Sequence, residues 1–311
     1  MQNMTIVGGG TMGCSLALAF ARAGKHVTLV SRSEDTLAKA ETWIAGAAAT
    51  LVDEGLIDAP ASKRIAASVA MTTDLVAGVR KVPWVLEAIP ERLESKRGLF
   101  TDIEQMVSET TRITTTTSSL AIADIASGMR RPERAMTTHF VNPPHLVPVV
   151  EVVAHPSTSA DHLQAVLDDL RASSFAPVLL KRDIEGFIAN RLQGALFREA
   201  LHLMAEDVAD AEAIDTVVRE GLGMRWAFMG PMETADFGGL DTWALVSRLL
   251  APHLATSSPL SVLEAKADAG QLGVKTGQGF YSYEGVTAAE LLQRRDRQLI
   301  GLLKLRRGRP D

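Results

Sequence analysis

The sequence predicts an α/β fold in its first half, with a parallel sheet flanked by helices, and an all-helical second half. Up to Lys181, short β-rich runs alternate with helical patterns, as in chains that form parallel sheets. From Asp183 onward, apolar residues recur every four positions, at Ile188, Leu192, Leu196, Ala200 and Met204. This spacing predicts one long amphipathic helix, and no clear strand follows it. We therefore expect two domains, at residues 1–183 and 184–311.

The elements of the first half follow one another in regular alternation. Strands are predicted at Met4–Val7, His26–Val30, Trp84–Ala88, Arg112–Thr117, Ala135–Phe140, Val149–Ala154 and Pro177–Lys181. Helices are predicted at Thr11–Arg22, Glu34–Glu54, Leu93–Val107 and Ser159–Ala172. The helical second half should pack directly on the first domain, because no low-complexity linker separates the two.

Composition excludes several classes of protein. No run approaches the ~18 consecutive apolar residues of a membrane-spanning helix, and the first strand begins too early for a signal peptide. We therefore expect a soluble, cytoplasmic protein. A single cysteine, Cys14, and scattered histidines offer no metal-ligand spacing, so no metal is expected. The net charge of −5 disfavours nucleic acid as a partner, and the arginine-rich last stretch is interpreted as the solvated face of a helix.

A glycine-rich segment directly after the first strand carries the first chemical signal. Gly8, Gly10 and Gly13 have the spacing GxGxxG, and Thr11 and Met12 open the helix that follows. In this context the first glycine allows a tight turn, the second lets the backbone approach a pyrophosphate, and the third permits close packing of helix on strand. The helix amino terminus adds unpaired N–H groups for the phosphates. The first domain is therefore predicted to be a Rossmann-type dinucleotide-binding domain.

The end of the second strand bears on the choice of nicotinamide cofactor. NAD enzymes carry an Asp or Glu there to accept hydrogen bonds from the ribose, but this chain has Ser31 followed by Arg32. A neutral serine removes repulsion towards a 2′-phosphate, and a guanidinium can bind that phosphate through two hydrogen bonds. The pattern favours NADP. Two alternatives keep NAD: Arg32 stacks on adenine, or Glu34 or Asp35 replaces the missing carboxylate.

A histidine and a glutamate are candidates for acid–base chemistry. His139 ends one predicted strand and Glu151 lies in the next, and the stiff connection through Pro143 and Pro144 could bring them side by side. A carboxylate partner fixes the imidazole tautomer and orients the ring, so that the histidine can take a hydroxyl proton. His145, in the same connection, is interpreted as a loop-stabilising or substrate-proximal residue rather than the base.

With these residues in view, the chain resembles the L-3-hydroxyacyl-CoA dehydrogenase family over residues 4 to about 285. Besides the glycine loop, the matching motifs are HxxNP at His139–Pro143, TSS at Thr117–Ser119, GFxxNR at Gly186–Arg191, EAxxE at Glu87–Glu91 and KTGxGFY at Lys275–Tyr281. The resemblance implies that Glu151 is the catalytic glutamate, that Ser118 contacts cofactor and substrate, and that Asn190 hydrogen-bonds the reacting oxygen. It also implies a homodimer formed by the helical domains. On the cofactor side, the resemblance places Glu87, Glu91, Lys96, Asn142 and Lys275.

Two departures from that family bear on the substrate. The helix positions that hold CoA in the acyl-CoA enzymes carry Ala47 and Glu54 here, and the surrounding acidic surface would repel CoA phosphates. The segment 221–231 contains Arg225 and resembles the branch with L-gulonate 3-dehydrogenase (lambda-crystallin), carnitine dehydrogenase and a pyridine-carboxylate dehydrogenase. A guanidinium pairs with a carboxylate in two parallel hydrogen bonds, so Arg225 is a candidate clamp for a free carboxylate; the alternative is a surface or interface ion pair.

The sequence therefore predicts an NAD(P)-dependent dehydrogenase that interconverts a small carboxylate-bearing alcohol and its carbonyl by hydride transfer. His139 and Glu151 are the expected acid–base pair, and Ser118, His139, Asn190 and Arg225 are the expected substrate contacts. One alternative keeps the chemistry on a 3-hydroxyacyl-CoA. A second alternative is a structural protein of the crystallin type that binds the dinucleotide without turnover.

Overall fold

A computed structural model describes residues 3–307 and contains one eight-stranded sheet. Its strands are β1 (Asn3–Val7), β2 (His26–Val30), β3 (Val69–Thr72), β4 (Trp84–Glu87), β5 (Arg112–Thr115), β6 (Ala135–Phe140), β7 (Val149–Ala154) and β8 (Ala176–Leu179). Their order across the sheet is β3-β2-β1-β4-β5-β6-β7-β8, and every neighbouring pair is parallel except β6 and β7. The predicted α/β fold is confirmed.

Seven α-helices accompany the sheet before the second half of the chain. They are α1 (Thr11–Arg22), α2 (Glu34–Asp53), α3 (Ala59–Ser68), α4 (Leu75–Val79), α5 (Leu93–Met106), α6 (Ile122–Ile125) and α7 (Ala160–Ala172). Side chains at the predicted starts cap two of them: the Ser33 hydroxyl accepts from the Thr36 N–H at α2, and Ser159 does the same for His162 at α7. The remaining α-helices are α8 (Ala189–Ala205), α9 (Ala211–Thr216), α10 (Met224–Trp226), α11 (Pro231–Gly238), α12 (Leu240–Leu250), α13 (Ser261–Asp268) and α14 (Ala288–Arg307). A π-helical stretch joins α9 to α10.

Helix α1 is central to the packing of the sheet because nearly all of it is apolar and small. Its residues from Gly13 to Ala21 are buried, and Phe20 packs edge-on against Trp84 of β4 and Phe140 of β6. Burying each large apolar side chain contributes about 1.5–3 kcal/mol. Because β2, β1, β4 and β5 are adjacent and parallel, their carboxyl ends lie at the same edge of the sheet, and α1 begins at that edge after β1, where a dinucleotide site is expected.

The chain divides into two compact units. Residues up to Asn190, together with those from Leu292 onward, form the first unit, and Arg191–Leu291 form the second. Helix α14 thus contributes to the first unit: Ile300 is 1% exposed in its core, with Leu299 and Leu303 packed alongside. This division by contacts differs at α14 from the sequence-based domain 184–311. The order of elements along a chain does not reveal that its last helix packs back on the first domain.

The second unit buries little of its apolar surface. Leu201 is the only hydrophobic side chain of Arg191–Leu291, all of which the structure describes, that is buried. Large apolar side chains lie exposed along α8, α11 and α12, among them Leu192, Phe197, Met232, Phe237, Trp243, Val246 and Leu249. Across residues 3–307, no helix has the length and apolar character needed to span a bilayer.

Candidate active site

The glycine loop after β1 has the geometry of a dinucleotide cradle. Gly8 has φ +128°, and a Cβ atom there would lie 2.4 Å from the Ala88 carbonyl oxygen. A Cβ atom at Gly13 would lie 1.7 Å from the Gly8 carbonyl oxygen, so both positions require glycine. Gly10, in contrast, faces open space and caps α1 without any side-chain hydrogen bond. The first N–H groups of α1, beginning with exposed Thr11, thus lie beside open space at Gly10, and helix N–H groups of this kind are suited to binding phosphate, whereas half-buried Met12 packs on the core.

The turn after β2 carries Ser31 and Arg32, the residues that the sequence predicts to bear on the choice of cofactor. Ser31 is held by its N–H, which donates to the Thr72 carbonyl oxygen at 3.2 Å. Arg32 is exposed and has no ion pair or side-chain hydrogen bond in the described part of the chain. Glu34 is also exposed, and its carboxylate accepts from the Thr73 hydroxyl at 3.2 Å. The guanidinium is therefore the group at this strand end that is open to a ligand.

Glu87 and Lys96 form a buried ion pair at the end of β4. Glu87 ends β4 with no exposed surface, and its carboxylate accepts from Lys96 Nζ at 2.7 Å, the Ile89 N–H at 2.6 Å and the Thr115 hydroxyl at 2.6 Å. Burial raises the pKa of the Glu87 carboxyl, while the Lys96 charge and these hydrogen bonds oppose that rise. Lys96 is itself only 1% exposed. The polar atoms of both side chains are bonded to protein groups, so these two residues support the structure around the site.

Glu91 organises the loop that carries Ser118. Its Oε1 atom accepts from the Thr117 hydroxyl at 2.5 Å, from the N–H groups of Ser118 and Ser119 at 2.9 and 3.2 Å, and from the Ser119 hydroxyl at 3.0 Å. Its Oε2 atom lies 3.3 Å from Lys96 Nζ. Partial burial alone would raise the pKa of Glu91, but these hydrogen bonds and the Lys96 charge together lower it. Glu91 is therefore an ionised anchor for this loop.

His139 and Glu151 lie directly opposite each other on the antiparallel strands β6 and β7. Both are buried, and His139 Nδ1 lies 2.8 Å from Glu151 Oε2. An ionised carboxylate can only accept, so Nδ1 carries the proton and Nε2 is the acceptor nitrogen. The other carboxylate oxygen, Oε1, accepts from the N–H groups of Ile188 and Ala189 at 2.7 and 3.0 Å. The glutamate thus joins the histidine to the start of α8.

Asn190 connects this pair to the Ser118 loop. It follows Ala189 in α8, and its side-chain amide donates to the Ser118 carbonyl oxygen at 3.4 Å. Both residues are exposed, and the Ser118 hydroxyl makes no hydrogen bond within residues 3–307. The structure therefore brings His139, Glu151, Asn190 and Ser118 into one connected group. Such a group offers a proton acceptor beside two donors for a developing oxyanion.

The loop between β6 and β7 holds two further residues of interest. Asn142 is exposed, whereas His145 is 2% exposed and its Nδ1 lies 2.7 Å from the Ser15 hydroxyl of α1. Burial, together with the charges of Arg22 and Arg295, lowers the pKa of His145 to about 4. The imidazole is neutral at physiological pH and holds the loop against α1.

Two of the sequence-predicted residues belong to the second unit. Arg225 lies in α10 with its side chain exposed, and it has no side-chain hydrogen bond or ion pair among the described residues. Lys275 is exposed in the turn that the Gly273 N–H closes on the Gln278 carbonyl oxygen at 2.7 Å. Both cations are thus open to a ligand within their own unit.

Sequence reasoning did not single out Phe187, whose ring centroid lies 5.1 Å from that of His139. The residue is 2% exposed and has φ +49°, which is unusual for a bulky side chain. The motif around it drew attention to Asn190, and nothing in a sequence distinguishes an aromatic residue in the apolar core from one that packs on a catalytic ring.

Comparisons with known proteins cover both halves of the chain. A family model described as 3-hydroxyacyl-CoA dehydrogenase, NAD binding domain, matches residues 3–184, and the corresponding C-terminal domain model matches residues 186–283. The chain is 31% identical to 5-formyl-3-hydroxy-2-methylpyridine 4-carboxylate 5-dehydrogenase of Mesorhizobium japonicum, over 99% of both chains. It is 32% identical to L-carnitine dehydrogenase of Streptomyces griseus, over 98% of this chain and 90% of that one.

The chain is also similar to a human enzyme and to a solved structure. Mitochondrial hydroxyacyl-coenzyme A dehydrogenase of Homo sapiens is 32% identical over 91% of this chain and 92% of its own. A crystal structure of 5-formyl-3-hydroxy-2-methylpyridine 4-carboxylic acid 5-dehydrogenase, described as an NAD⁺-dependent dismutase, superposes with a TM-score of 0.91 at 31% identity and covers 100% of both chains.

Proposed function

The chain belongs to the 3-hydroxyacyl-CoA dehydrogenase family, and from that premise we propose that it interconverts a small carboxylate-bearing alcohol and its carbonyl with a nicotinamide cofactor. The observation that carries the proposal is the buried His139–Glu151 pair at 2.8 Å, joined through α8 and Asn190 to Ser118. This is the arrangement that alcohol oxidation by general base catalysis requires.

Each side chain has a definite role in the proposed reaction. When bound, the nicotinamide supplies the acceptor for a hydride from the carbinol carbon, and its reduced form supplies the donor in reverse. In the oxidative direction, Nε2 of His139 takes the hydroxyl proton, and Glu151 stabilises the resulting imidazolium. The Ser118 hydroxyl and the Asn190 amide donate hydrogen bonds to the substrate oxygen as it gains negative charge. In the reductive direction, the imidazolium returns the proton.

The proposed cofactor contacts begin with the cradle of Gly8, Gly10 and Gly13, together with the first turn of α1 at Thr11 and Met12. Ser31, Arg32, Asn142 and Lys275 are the further proposed cofactor contacts. The proposed role of Glu87, Glu91 and Lys96 is indirect: they support the cofactor site through the Ser118 loop, which Glu91 holds by hydrogen bonds. We propose NADP as the preferred cofactor, supported by the exposed Arg32 and the absence of a carboxylate at the end of β2.

The proposed substrate has a free carboxylate rather than a CoA thioester. Its support is the likeness to relatives named for pyridine-carboxylate and carnitine oxidation, over nearly the whole chain. Arg225 is the proposed clamp for the carboxylate. Directly after α2, Glu54 stands at a position that the family resemblance assigns to CoA binding, and its Oε1 atom lies 3.2 Å from Nε of Arg297 on α14, so this carboxylate is paired with a cation. A 3-hydroxyacyl-CoA is the alternative substrate class.

The intact acid–base pair also argues against a purely structural, crystallin-like role. Burying the ionisable His139 and Glu151 side chains has a desolvation cost, and a protein that only binds dinucleotide has no use for the three hydrogen bonds that hold them in place.

We further propose a homodimer that forms through the helical unit. Its support is the exposed apolar surface on α8, α11 and α12, where Phe237 is 78% and Leu249 is 66% exposed. Apolar patches of this extent mark protein interfaces. Sedimentation equilibrium tests the proposal: a monomer at micromolar concentration would contradict it.

An initial-rate screen tests the proposed activity. Free hydroxy acids and 3-hydroxybutyryl-CoA are offered with NAD and NADP, and the reduced nicotinamide is followed by absorbance. We expect turnover of at least one free hydroxy acid. Faster turnover of the CoA thioester would favour the alternative substrate, and no turnover of any of these alcohols would favour the structural role.

A further inference from the structure

The turn that leads into α8 has an unusual backbone. Gly186 and Phe187 both have positive φ, +75° and +49°. Glycine adopts this region at no cost, whereas a side chain with a Cβ atom clashes with its own backbone there. Such a residue persists only when its surroundings hold it in place, and it is found more often at functional sites than elsewhere.

The turn aims two backbone N–H groups at one carboxylate oxygen. Immediately after Phe187, the N–H groups of Ile188 and Ala189 donate to Glu151 Oε1 at 2.7 and 3.0 Å. The Ile188 N–H lies directly before α8 and the Ala189 N–H is the first of the helix, and N–H groups at a helix start have no partner within the helix. The carboxylate cannot rotate without losing both hydrogen bonds. Its second oxygen is therefore held in position against His139 Nδ1.

The side chain of the same residue packs on the histidine. The Phe187 ring lies 5.1 Å from the His139 ring, tilted by 45°. It is 2% exposed and belongs to the apolar cluster on this face of the sheet, with Val153 and Leu180. The ring therefore limits rotation of the imidazole about χ2 and keeps water away from this side of the pair.

We propose that Phe187 is a positioning residue for the acid–base pair. Its backbone conformation directs the next two N–H groups to the carboxylate of Glu151, and its ring packs on the imidazole of His139. One residue therefore orients both members of the pair. The proposal rests on the proposed dehydrogenase function for its kinetic consequences but not for its structural ones. A glycine would fit the backbone with less strain, but it would leave the imidazole without its packing partner.

A kinetic experiment separates positioning from packing. Phe187→Leu keeps an apolar side chain and removes the flat ring, and we expect kcat to fall about 10- to 100-fold with unchanged cofactor affinity. The matched control is Phe100→Leu, because Phe100 is fully buried in the same apolar cluster on α5. The control should lower the melting temperature similarly and leave kcat near the wild-type value. Equal kcat losses in the two variants would overturn the proposal.

A double-mutant cycle provides a readout that a purely structural role would not change. In a Glu151→Gln background the imidazole has already lost its charged partner. Phe187→Leu should then cost little further activity, because both changes act through the orientation of His139. Full additivity of the two losses would contradict the proposal.

Glycine and alanine substitutions distinguish the backbone from the ring. Phe187→Gly relieves the positive φ, whereas Phe187→Ala does not, so the glycine variant should have the higher melting temperature. Neither restores the ring, and both should remain slow. Recovery of kcat in Phe187→Gly alone would show that the ring is irrelevant.

A measurement without substrate keeps this proposal separate from the proposed function. The Nδ1 proton of His139, hydrogen-bonded to Glu151, should give a downfield resonance in the proton NMR spectrum, assigned by its loss in His139→Gln. We expect it to broaden or vanish in Phe187→Leu and to persist in Phe100→Leu. That outcome in a protein with no dehydrogenase activity would support Phe187 as a positioning residue and reject the proposed function. A resonance unchanged in Phe187→Leu would reject the proposal for Phe187.

Discussion

Nδ1 of His139 lies 2.8 Å from Oε2 of Glu151, across the only antiparallel pairing in the eight-stranded sheet formed by residues 3–307. Register determines this contact, because the two residues face each other directly and both side chains lie on the same face. A shift of one residue between β6 and β7 would move one partner to the opposite face. The sheet itself therefore assembles the acid–base pair.

His139→Gln should lower kcat by roughly 10²–10⁴, because positioned general acid–base catalysis contributes that much. Cofactor affinity, measured by fluorescence titration, should be nearly unchanged. The matched control is His145→Gln, which removes a buried histidine in the loop that follows β6 and lies outside the proposed chemistry. A near-normal kcat in His139→Gln would exclude this residue as the base.

His145 makes stability depend on pH. Its pKa in the folded protein is about 4, below the ordinary value of 6.5, so the unfolded chain binds more protons between these values. Stability is therefore expected to fall as the pH is lowered from 7 towards 4, with up to about 3 kcal/mol arising from this residue, at about 1.4 kcal/mol per pKa unit.

Urea unfolding at several pH values measures this dependence. The His145→Gln variant should be less stable at pH 7, because it loses the contact with Ser15, but its stability should vary less between pH 7 and 4.5. Identical pH slopes for the two proteins would show that His145 is not the titrating group.

The wild-type protein should prefer NADP to NAD. Ser31→Asp combined with Arg32→Gln should reverse that preference, since it removes the cation and adds a carboxylate that repels a 2′-phosphate. Dissociation constants for both cofactors measure the effect, with Lys39→Gln on the exposed face of α2 as the control for loss of one positive charge. A wild-type protein that binds NAD at least tenfold more tightly, about 1.4 kcal/mol, would contradict the argument.

Arg225→Met should lower kcat/KM at least tenfold, because it removes a charge-assisted contact worth ~1.5–3 kcal/mol. Arg225→Lys should recover only part of the loss, since an ammonium does not reproduce the planar guanidinium. Parallel assays with a carboxylate substrate and its uncharged amide provide the control. Equal losses for both would indicate that Arg225 supports the fold or an interface instead.

Much of the fold followed from sequence because its signals are local. The glycine loop and the alternation of strands and helices each depend on a few neighbouring residues. Strand β3 was missed, since Val69–Thr72 is short and only half-buried, with little hydrophobic contrast. The buried ion pair of Glu87 and Lys96 was not predicted either, because sequence alone does not show whether a charged side chain faces a ligand or a buried partner.

The candidate site was predictable only in part for a related reason. Pairing of His139 with Glu151 follows from two strands and a short connection, which a sequence can suggest. The capture of Glu151 by the start of α8, in contrast, depends on the positive φ of Phe187. Tertiary packing imposes that conformation against the residue's own preference, so no local pattern predicts it.

Helix α14 makes the first unit discontinuous in the chain. Segment 1–190 produced alone would lack Ile300 and would expose the apolar surface that this side chain covers. Cutting the chain after Gly285 would create a two-piece protein whose smaller piece, a peptide spanning α14, ought to rebind the larger one and restore its stability. The segment before α14 is thus a suitable split point for fragment complementation. Reassembly of the two pieces would report on the integrity of the dinucleotide-binding core.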